Sequence, residues 1–520
     1  MTDVRTVNAA LEQLAEWRPN HTAFVQAETG RRETFSEANE IARSLANGLS
    51  DNGVGKGDVV ALLSRTTVEH ALSYFAVQKV GAIPATLHNR EAPNKIVSLV
   101  DQVGAKALFF QPQFADTAEA ISDHTGLDLI VEYDRDGTAE ISGFGTPLST
   151  LLDEGASRSV GVDVNPSDPA FINFSSGTTG KPKGIVHTHE EAIECAHAGQ
   201  FIFSPHSDDT MLNPFTPSFI GWQNMTLPIV NAGGKSVMVE EWNPELILQM
   251  VEDEEVTIIL LVPTQWKMLL DADIDRYDLS SVRLGGYAGE TMGEDLFRRL
   301  REDITENFFT VYGTTETMDC GIALLPHEVT EETLASVGKP VPNTEVRIVE
   351  PDSHDPSAPV GQGEAGELIL RGPSIAEEVW DDPETTDEIF HEEGWWFSGD
   401  LARVGDDGNV YIEGRTDNMI ISGGINIYAE GVEGTIEAHP SVVECAVIGV
   451  PHDQWNEAVK AFVVTSDDVT VGELDEWCKN NDNLGNYQRP REWEFVDELP
   501  RTNTGKLNRS VLREREDISS

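Results

Sequence analysis

The sequence predicts an α/β protein: a large N-terminal domain with parallel-rich sheets, followed by a small α+β domain. Three observations carry this. Short apolar runs alternate with helical periodicities through the first four hundred residues, and this pattern favours parallel sheets covered by helices. Between Pro340 and Tyr411 the texture changes to short strands and turns. Beyond Thr416 a compact run of about a hundred residues has strands and helices of its own. At 520 residues the chain is also too long for a single core.

Taken in order, DVVALLS (58–64) reads as a strand and is followed by the helical pattern TVEHALSYFAVQKVGAI. NKIVSLVDQVGA then precedes the strand KALFF, and PELILQMVEDEEV precedes TIILLV. EVRIV, GELILRG and GNVYIEG supply the strands of a β-rich subdomain. SVVECAVIGVP and EAVKAFVVT do the same for the last unit. The boundary is placed at Thr416/Asp417, giving domains 1–416 and 417–520. GVGKG at Gly53 to Gly57 lacks hydroxyls and reads as a turn before a strand.

Composition sets the limits of function. Ninety acidic residues against 36 basic ones leave a net charge of −54, spread along the chain with no single acidic tail. Ten tryptophans and clear periodicity speak against disorder. The acidic excess predicts a surface adapted to a cytoplasm of very high salt, where screening shortens to ~3 Å at 1 M and self-repulsion fades. Such a field repels nucleic acid, and no basic stripe overrides it. The N-terminal stretch MTDVRTVNAALEQLAEW has no apolar h-region, and no stretch approaches the length of a membrane span, so a cytoplasmic protein is expected. Cys195, Cys320, Cys445 and Cys478 lie far apart without ligand-like spacing and read as small core residues.

The run SSGTTGKPKG, Ser175 to Gly184, crowds hydroxyls, glycines and lysines between two apolar stretches. Gly177 and Gly180 allow tight turns that point backbone N–H groups inward. Ser175, Ser176, Thr178 and Thr179 add donors, and Lys181 and Lys183 add charge, a combination suited to a polyphosphate. It is not a P-loop, because Ser175 stands where the first Gly belongs and Pro182 where the Ser/Thr belongs. FINF before it and GIVHTH after it look extended, so the loop is expected to join two strands. A flexible surface turn is the competing reading. His187 and His189 have no evident third metal ligand, and a capping or packing role for His189 suffices.

Four further segments appear in order: VYGTTE (Val311–Glu316), GWWFSGD (Gly394–Asp400), YIEGRTDNMIISGG (Tyr411–Gly424) and PRTNTGKLNR (Pro500–Arg509). With the glycine-rich run they resemble the motifs of the adenylate-forming superfamily, which holds acyl-CoA synthetases, peptide-synthetase adenylation domains and luciferases. The resemblance spans nearly the whole chain. It implies two α/β subdomains and a distorted β-barrel in the large domain, with a hinged small domain behind. It also implies an AMP-forming acyl-CoA synthetase that uses ATP, Mg²⁺ and coenzyme A.

By the same resemblance, Thr178, Thr179, Gly180 and Lys183 cradle the β and γ phosphates, and Glu316 holds the metal. Adenine stacks on Tyr312, beside Gly313, and lies along the backbone near Gly289 and Glu290, while Thr315 reaches the phosphates. Asp400 and Arg415 hold the ribose. Lys506 is the adenylation lysine, Asp417 the hinge, and Gly424 lines the pantetheine passage.

The segments Phe219–Met225, Thr264–Lys267, Tyr287 and Met318–Gly321 are expected to line the acyl pocket, and their side chains suit an aliphatic or fatty acid. An aryl-acid ligase, a stand-alone enzyme loading a carrier protein and a non-catalytic nucleotide-binding protein are the alternatives. Homodimerisation is left open. The chain also departs from the family pattern. Ser218 stands where many acyl-CoA synthetases have histidine, and Glu378-Val379 replaces the usual Gly-Tyr at a position that looks peripheral. The region after Phe215 lacks the aspartate that binds an α-ammonium, which disfavours an amino acid substrate.

Overall fold

A computed structural model describes residues 5–134, 141–155, 160–175, 182–289, 292–318, 320–351, 353, 355–391, 393–422, 425–452, 455–466, 469–481, 484–502 and 505–516. Contacts divide the chain into two units, 1–345 with 370–396, and 346–369 with 397–520.

The first unit contains two large sheets. One has nine strands, ordered Lys339–Pro340, Ile322–Leu324, Phe308–Tyr312, Leu284–Tyr287, Ile258–Leu261, Thr210–Asn213, Lys235–Met238, Thr22–Gln26 and Arg32–Thr34. Its six central strands run parallel and its edges are antiparallel. The other has eight strands, ordered Glu378–Val379, Lys183–Thr188, Pro169–Ser175, Ile83–Thr86, Val59–Leu63, Ala107–Phe110, Leu129–Glu132 and Thr146–Pro147. It is parallel except at the first two pairings. The α/β architecture read from the alternating pattern is therefore present.

Helices fill the space between these sheets. In Val68–Lys79 every residue but Glu69 is buried, and Ile220–Ala232 is nearly as enclosed. Helices apolar all round are those that pack on both sides. Their core joins Leu62, Phe109 and Phe171 of the eight-stranded sheet to Met211, Leu260 and Phe309 of the nine-stranded one, with Tyr74 and Trp222 between. Local signals start the helices. Thr34 and Glu37 form a capping box for Phe35–Asp51, and Thr188 and Glu191 form one for His189–Phe203, each Thr-x-x-Glu pair satisfying two end donors at about 1 kcal/mol.

Residues 345–415 form a four-stranded sheet, Glu345–Val349, Gly366–Arg371, Trp396–Val404 and Val410–Arg415, in that order. The barrel expected here is seen, among the described residues, as an open four-stranded path. The rest of the second unit is a sheet of Ile425–Tyr428, Met419–Ser422, Asn456–Thr465 and Val442–His452, with Glu492–Phe495 added parallel to Asn456–Thr465. Its helices are Ala429–Glu437, Val471–Lys479 and Arg509–Arg515.

Candidate active site

The glycine-rich run joins two antiparallel strands, as its flanks predict. Ser175 ends Pro169–Ser175, Lys183 begins Lys183–Thr188, and the two are paired residues of the ladder. Both are half-buried. Ser176, Gly177, Thr178, Thr179 and Gly180 lie outside the described residues, as do Glu290 and Gly424. The hairpin brings the ends of the loop together, and Lys183 opens a strand, with the next helix beginning only at His189.

Two side chains of this hairpin make contacts that the sequence does not announce. Asn173, fully buried, accepts hydrogen bonds at Oδ1 from Thr86 Oγ1 (2.9 Å) and Gln223 Nε2 (3.1 Å), and its amide donates to the Ser218 carbonyl (3.4 Å). This ties the strand before the loop to segment 215–223. His187, also fully buried, donates from Nε2 to the Thr315 carbonyl at 2.8 Å and packs its ring on Phe171. It thereby holds the strand after the loop against the YGTTE turn. Asn173 and His187 sit inside apolar strand segments, where the sequence reads as core and does not reveal the distant partner of a polar side chain.

The YGTTE segment leaves the nine-stranded sheet at Tyr312 and turns through Thr315–Thr317. Thr314 N donates to Thr317 Oγ1 (2.9 Å) and Thr314 Oγ1 to Glu316 Oε2 (2.6 Å), and the Glu316 carbonyl accepts from Ala376 N (2.8 Å). Thr315 and Glu316 are thus fixed by their neighbours, with Tyr312 and Gly313 just ahead. Gly289 follows the adjacent strand at φ +81°, a conformation that suits glycine. The first unit therefore gathers Ser175, Lys183, Tyr312, Gly313, Thr315 and Glu316 on connected elements.

In the second unit Asp400 and Arg415 are cross-strand partners. Arg415 Nη1 donates to Asp400 Oδ1 at 2.8 Å and to the Ser398 carbonyl at 3.2 Å. Asp400 is buried, so the pair is held before any ligand arrives. Lys506 is exposed, in a turn where Thr502 N donates to its carbonyl (2.8 Å) and Gly505 has φ +86°. The backbone of Asp417 lies in the single turn Thr416–Asn418.

An enclosed cavity of about 40 Å³ adjoins the YGTTE turn, lined by Phe203, Phe215, Met225, Leu260 and Val311, with Asn224 and Cys320. Two of the expected acyl-pocket segments, 219–225 and 318–321, contribute to it. Trp266 and Tyr287 do not: they belong to the core on the other face of the nine-stranded sheet, where Trp266 Nε1 donates to the Gly286 carbonyl (2.8 Å). Ser218 is buried with its hydroxyl unpartnered among the described residues. A wider polar groove of about 490 Å³ near Asp208 and Glu254 contains none of the predicted site residues.

Two further expectations meet the structure here. Glu378-Val379 forms the edge strand of the eight-stranded sheet, pairing with Ile185 and Val186, with Glu378 exposed and Val379 buried. His189 opens a helix and accepts a hydrogen bond from Val7 N (3.3 Å), capping the helix Val7–Trp17 as a neutral ring whose pKa burial lowers to about 4. Among the described residues no three His, Cys, Asp or Glu side chains could hold a metal together. A lone oxygen ligand such as Glu316 still fits Mg²⁺, which takes one or two carboxylates and completes its shell with phosphate oxygens and water.

Residues 11–380 match the AMP-binding enzymes, and residues 431–506 match the AMP-binding enzyme C-terminal domain. The chain belongs to the AMP-binding enzyme family. This AMP-binding enzyme is 31% identical to a 4-chlorobenzoate–CoA ligase of an Arthrobacter species, over 98% of its own length and 95% of the relative's. It is 29% identical to a putative acyl-CoA synthetase, YngI, of Bacillus subtilis, covering 98% and 97% of the two chains. The crystal structure of the anthranilate CoA ligase AuaEII with anthranoyl-AMP superimposes with a TM-score of 0.84, at 27% identity over 98% of this chain and 97% of that one. The enzyme is an AMP-forming acid–thiol ligase that joins a carboxylic acid to coenzyme A with ATP and Mg²⁺. Among the described residues no helix is long and apolar enough to cross a membrane.

Proposed function

We propose that this ligase activates a compact, aromatic carboxylic acid, seated in the cavity beside the YGTTE turn. The cavity carries the reading. At about 40 Å³ and lined by Phe203 and Leu260 among others, it is far below the roughly 300 Å³ at which pockets for large ligands begin. A flat ring with little beyond it demands the least opening, whereas a long acyl chain would need the core displaced. The ligands named for the 4-chlorobenzoate and anthranilate relatives support the same class. The aliphatic or fatty acid expected from apolar composition is the competing reading. Pyrophosphate exchange over benzoate, its substituted forms and straight-chain acids from butanoate to dodecanoate decides between them. A kcat/KM optimum among the long straight chains would overturn the aromatic reading.

The chemistry joins two anions, so its first demand is charge neutralisation with little water present. In the proposed assignment a carboxylate oxygen attacks the α-phosphorus of ATP, the bond to the bridging oxygen breaks, and pyrophosphate leaves. Thr178, Thr179 and Lys183 hold the outer phosphates, Tyr312 and the Gly289 backbone hold adenine, and Asp400 with Arg415 holds the ribose. Glu316 is the carboxylate that would hold Mg²⁺, which when bound would neutralise phosphate charge. The Lys506 ammonium, a point charge on a flexible stem, sits between the reacting anions. The thiolate of coenzyme A then attacks the acyl carbon and AMP departs. The two half-reactions use different positions of residues 417–520, pivoting at Asp417, with Gly424 in the thiol passage.

Lys506→Ala is accordingly expected to abolish pyrophosphate exchange, a loss of roughly 10² or more, yet to retain most thioester formation from supplied acyl-adenylate. Equal loss of both half-reactions removes the two-position scheme.

A further inference from the structure

We propose that Asn224 is a specificity-determining residue, and that the preferred acid carries a hydrogen-bond acceptor on the part of the molecule that enters the cavity. This deepens the compact-acid reading and rests on it. The lining of the cavity is otherwise hydrocarbon and sulfur, from Phe203, Phe215, Met225, Leu260, Val311 and Cys320. Asn224 lies within it at 3% exposure, on the helix Ile220–Ala232. A buried primary amide brings two donors and one acceptor, and its energetic weight depends on which of them are paired.

Two thiols settle the acceptor. Cys195, on the helix His189–Phe203, donates from Sγ to Asn224 Oδ1 at 3.0 Å, and Cys320, just past the YGTTE turn, approaches the same oxygen at 3.7 Å. Engaged from two elements, the oxygen fixes the plane of the amide. The NH₂ group has no hydrogen-bond partner among the described residues, and it is the edge left to the cavity. A donor held in an apolar chamber is costly until an acceptor meets it, so the chamber discriminates by what the ligand offers there. An ether, carbonyl or hydroxyl oxygen satisfies it, and a methyl or ethyl group of the same shape does not. Sites of this kind reject the analogue lacking the polar group more strongly than apolar pockets reject an extra methylene. The pairing also explains two cysteines as supports for a polar side chain.

The test uses shape-matched pairs, methoxybenzoates against ethylbenzoates and acetylbenzoates against isopropylbenzoates, at each ring position, with kcat/KM of the full ligase as the readout. For at least one ring position the oxygen-bearing acid is expected to win by about 10-fold or more. In Asn224→Leu, close in shape and without a donor, that ratio is expected to fall to about 1. In Asn224→Asp, with an acceptor facing the chamber, it is expected to invert in favour of ring substituents that donate. Equal use of both members of every pair by the unaltered enzyme overturns the proposal and needs no variant, and so does a preference that survives in Asn224→Leu. Either result leaves the ligase and its compact acid standing. Failure to activate any ring acid would instead sink the substrate reading and this inference with it.

Discussion

At the residue scale the buried histidines show how far local chemistry is legible. His70 accepts or donates at Nδ1 with Ser64 Oγ (2.7 Å) under complete burial, which lowers its pKa to about 3, and burial lowers His189 to about 4. Both folded values lie below the ordinary 6.5, so the unfolded chain binds more protons between these limits. Their contribution to stability is therefore complete above about pH 6.5 and is lost as pH falls toward 4, by up to about 1.4 kcal/mol per pH unit for each ring. Urea unfolding between pH 7.5 and 4.5 measures the slope, and His189→Asn, which keeps an acceptor for Val7 N, is expected to flatten part of it. Identical slopes in the two proteins would show that His189 does not titrate differently on unfolding. A capping or packing role for His189 was expected, but not the helix it serves, because its bond from Val7 N joins residues 182 positions apart. His187 was not readable: its bond to the Thr315 carbonyl joins residues 128 positions apart, and nothing in the local pattern announces it.

At the scale of elements, legibility followed periodicity. DVVALLS, KALFF and TIILLV lie on the strands Val59–Leu63, Ala107–Phe110 and Ile258–Leu261, because apolar runs bounded by turns have few other ways to bury themselves. The glycine-rich loop joins two strands as its flanks require. What periodicity could not give was which face a strand turns to which core: Tyr287 and Trp266, expected to line the acyl pocket, pack on the opposite face of the nine-stranded sheet from the small cavity.

Close approach between helices was equally hidden. A Cβ on Gly199 would come within 2.4 Å of Pro228 Cγ, where His189–Phe203 meets Ile220–Ala232. Two effects oppose each other in Gly199→Ala. Helix propensity favours alanine by about 1 kcal/mol, and overpacking costs about 1–3 kcal/mol. The clash is with a rigid ring inside a buried helix, so it dominates. A net loss of stability of up to about 2 kcal/mol in chemical denaturation is expected, and a gain would show that the helices separate freely. These helices also supply Phe203, Asn224 and Met225 to the cavity, so the same substitution is expected to raise KM for the acid.

At the scale of the whole molecule, mutual repulsion of like charges governs behaviour outside the cores. The net charge of −54 is distributed over both units, and among the described residues many lysines and arginines pair with nearby carboxylates, as in the exposed pairs Arg5–Glu190, Arg276–Asp273 and Arg298–Glu331. Such pairs contribute little individually at the surface, while the unpaired acids repel one another over a length that salt shortens from ~10 Å at 0.1 M to ~3 Å at 1 M. The thermal midpoint is therefore expected to rise from dilute buffer to molar KCl, and calorimetry in the two solutions reads it directly. A midpoint that does not move would remove self-repulsion as a factor in stability. The acidity was legible from composition alone. The division of the chain by contacts was not, because residues 346–369 and 370–396 alternate between units within a single stretch of sequence.

One of these short excursions has a consequence for the chain's behaviour among its own copies. Residues 378 and 379 run along the outer side of Lys183–Thr188, and Trp380 N reaches the Gly184 carbonyl at 2.8 Å. Without them the amides and carbonyls of Ile185 and Val186 would form a bare rim, a ready template for strand addition by a neighbouring molecule. Two residues thus guard the edge of the hairpin 169–188 against strand addition.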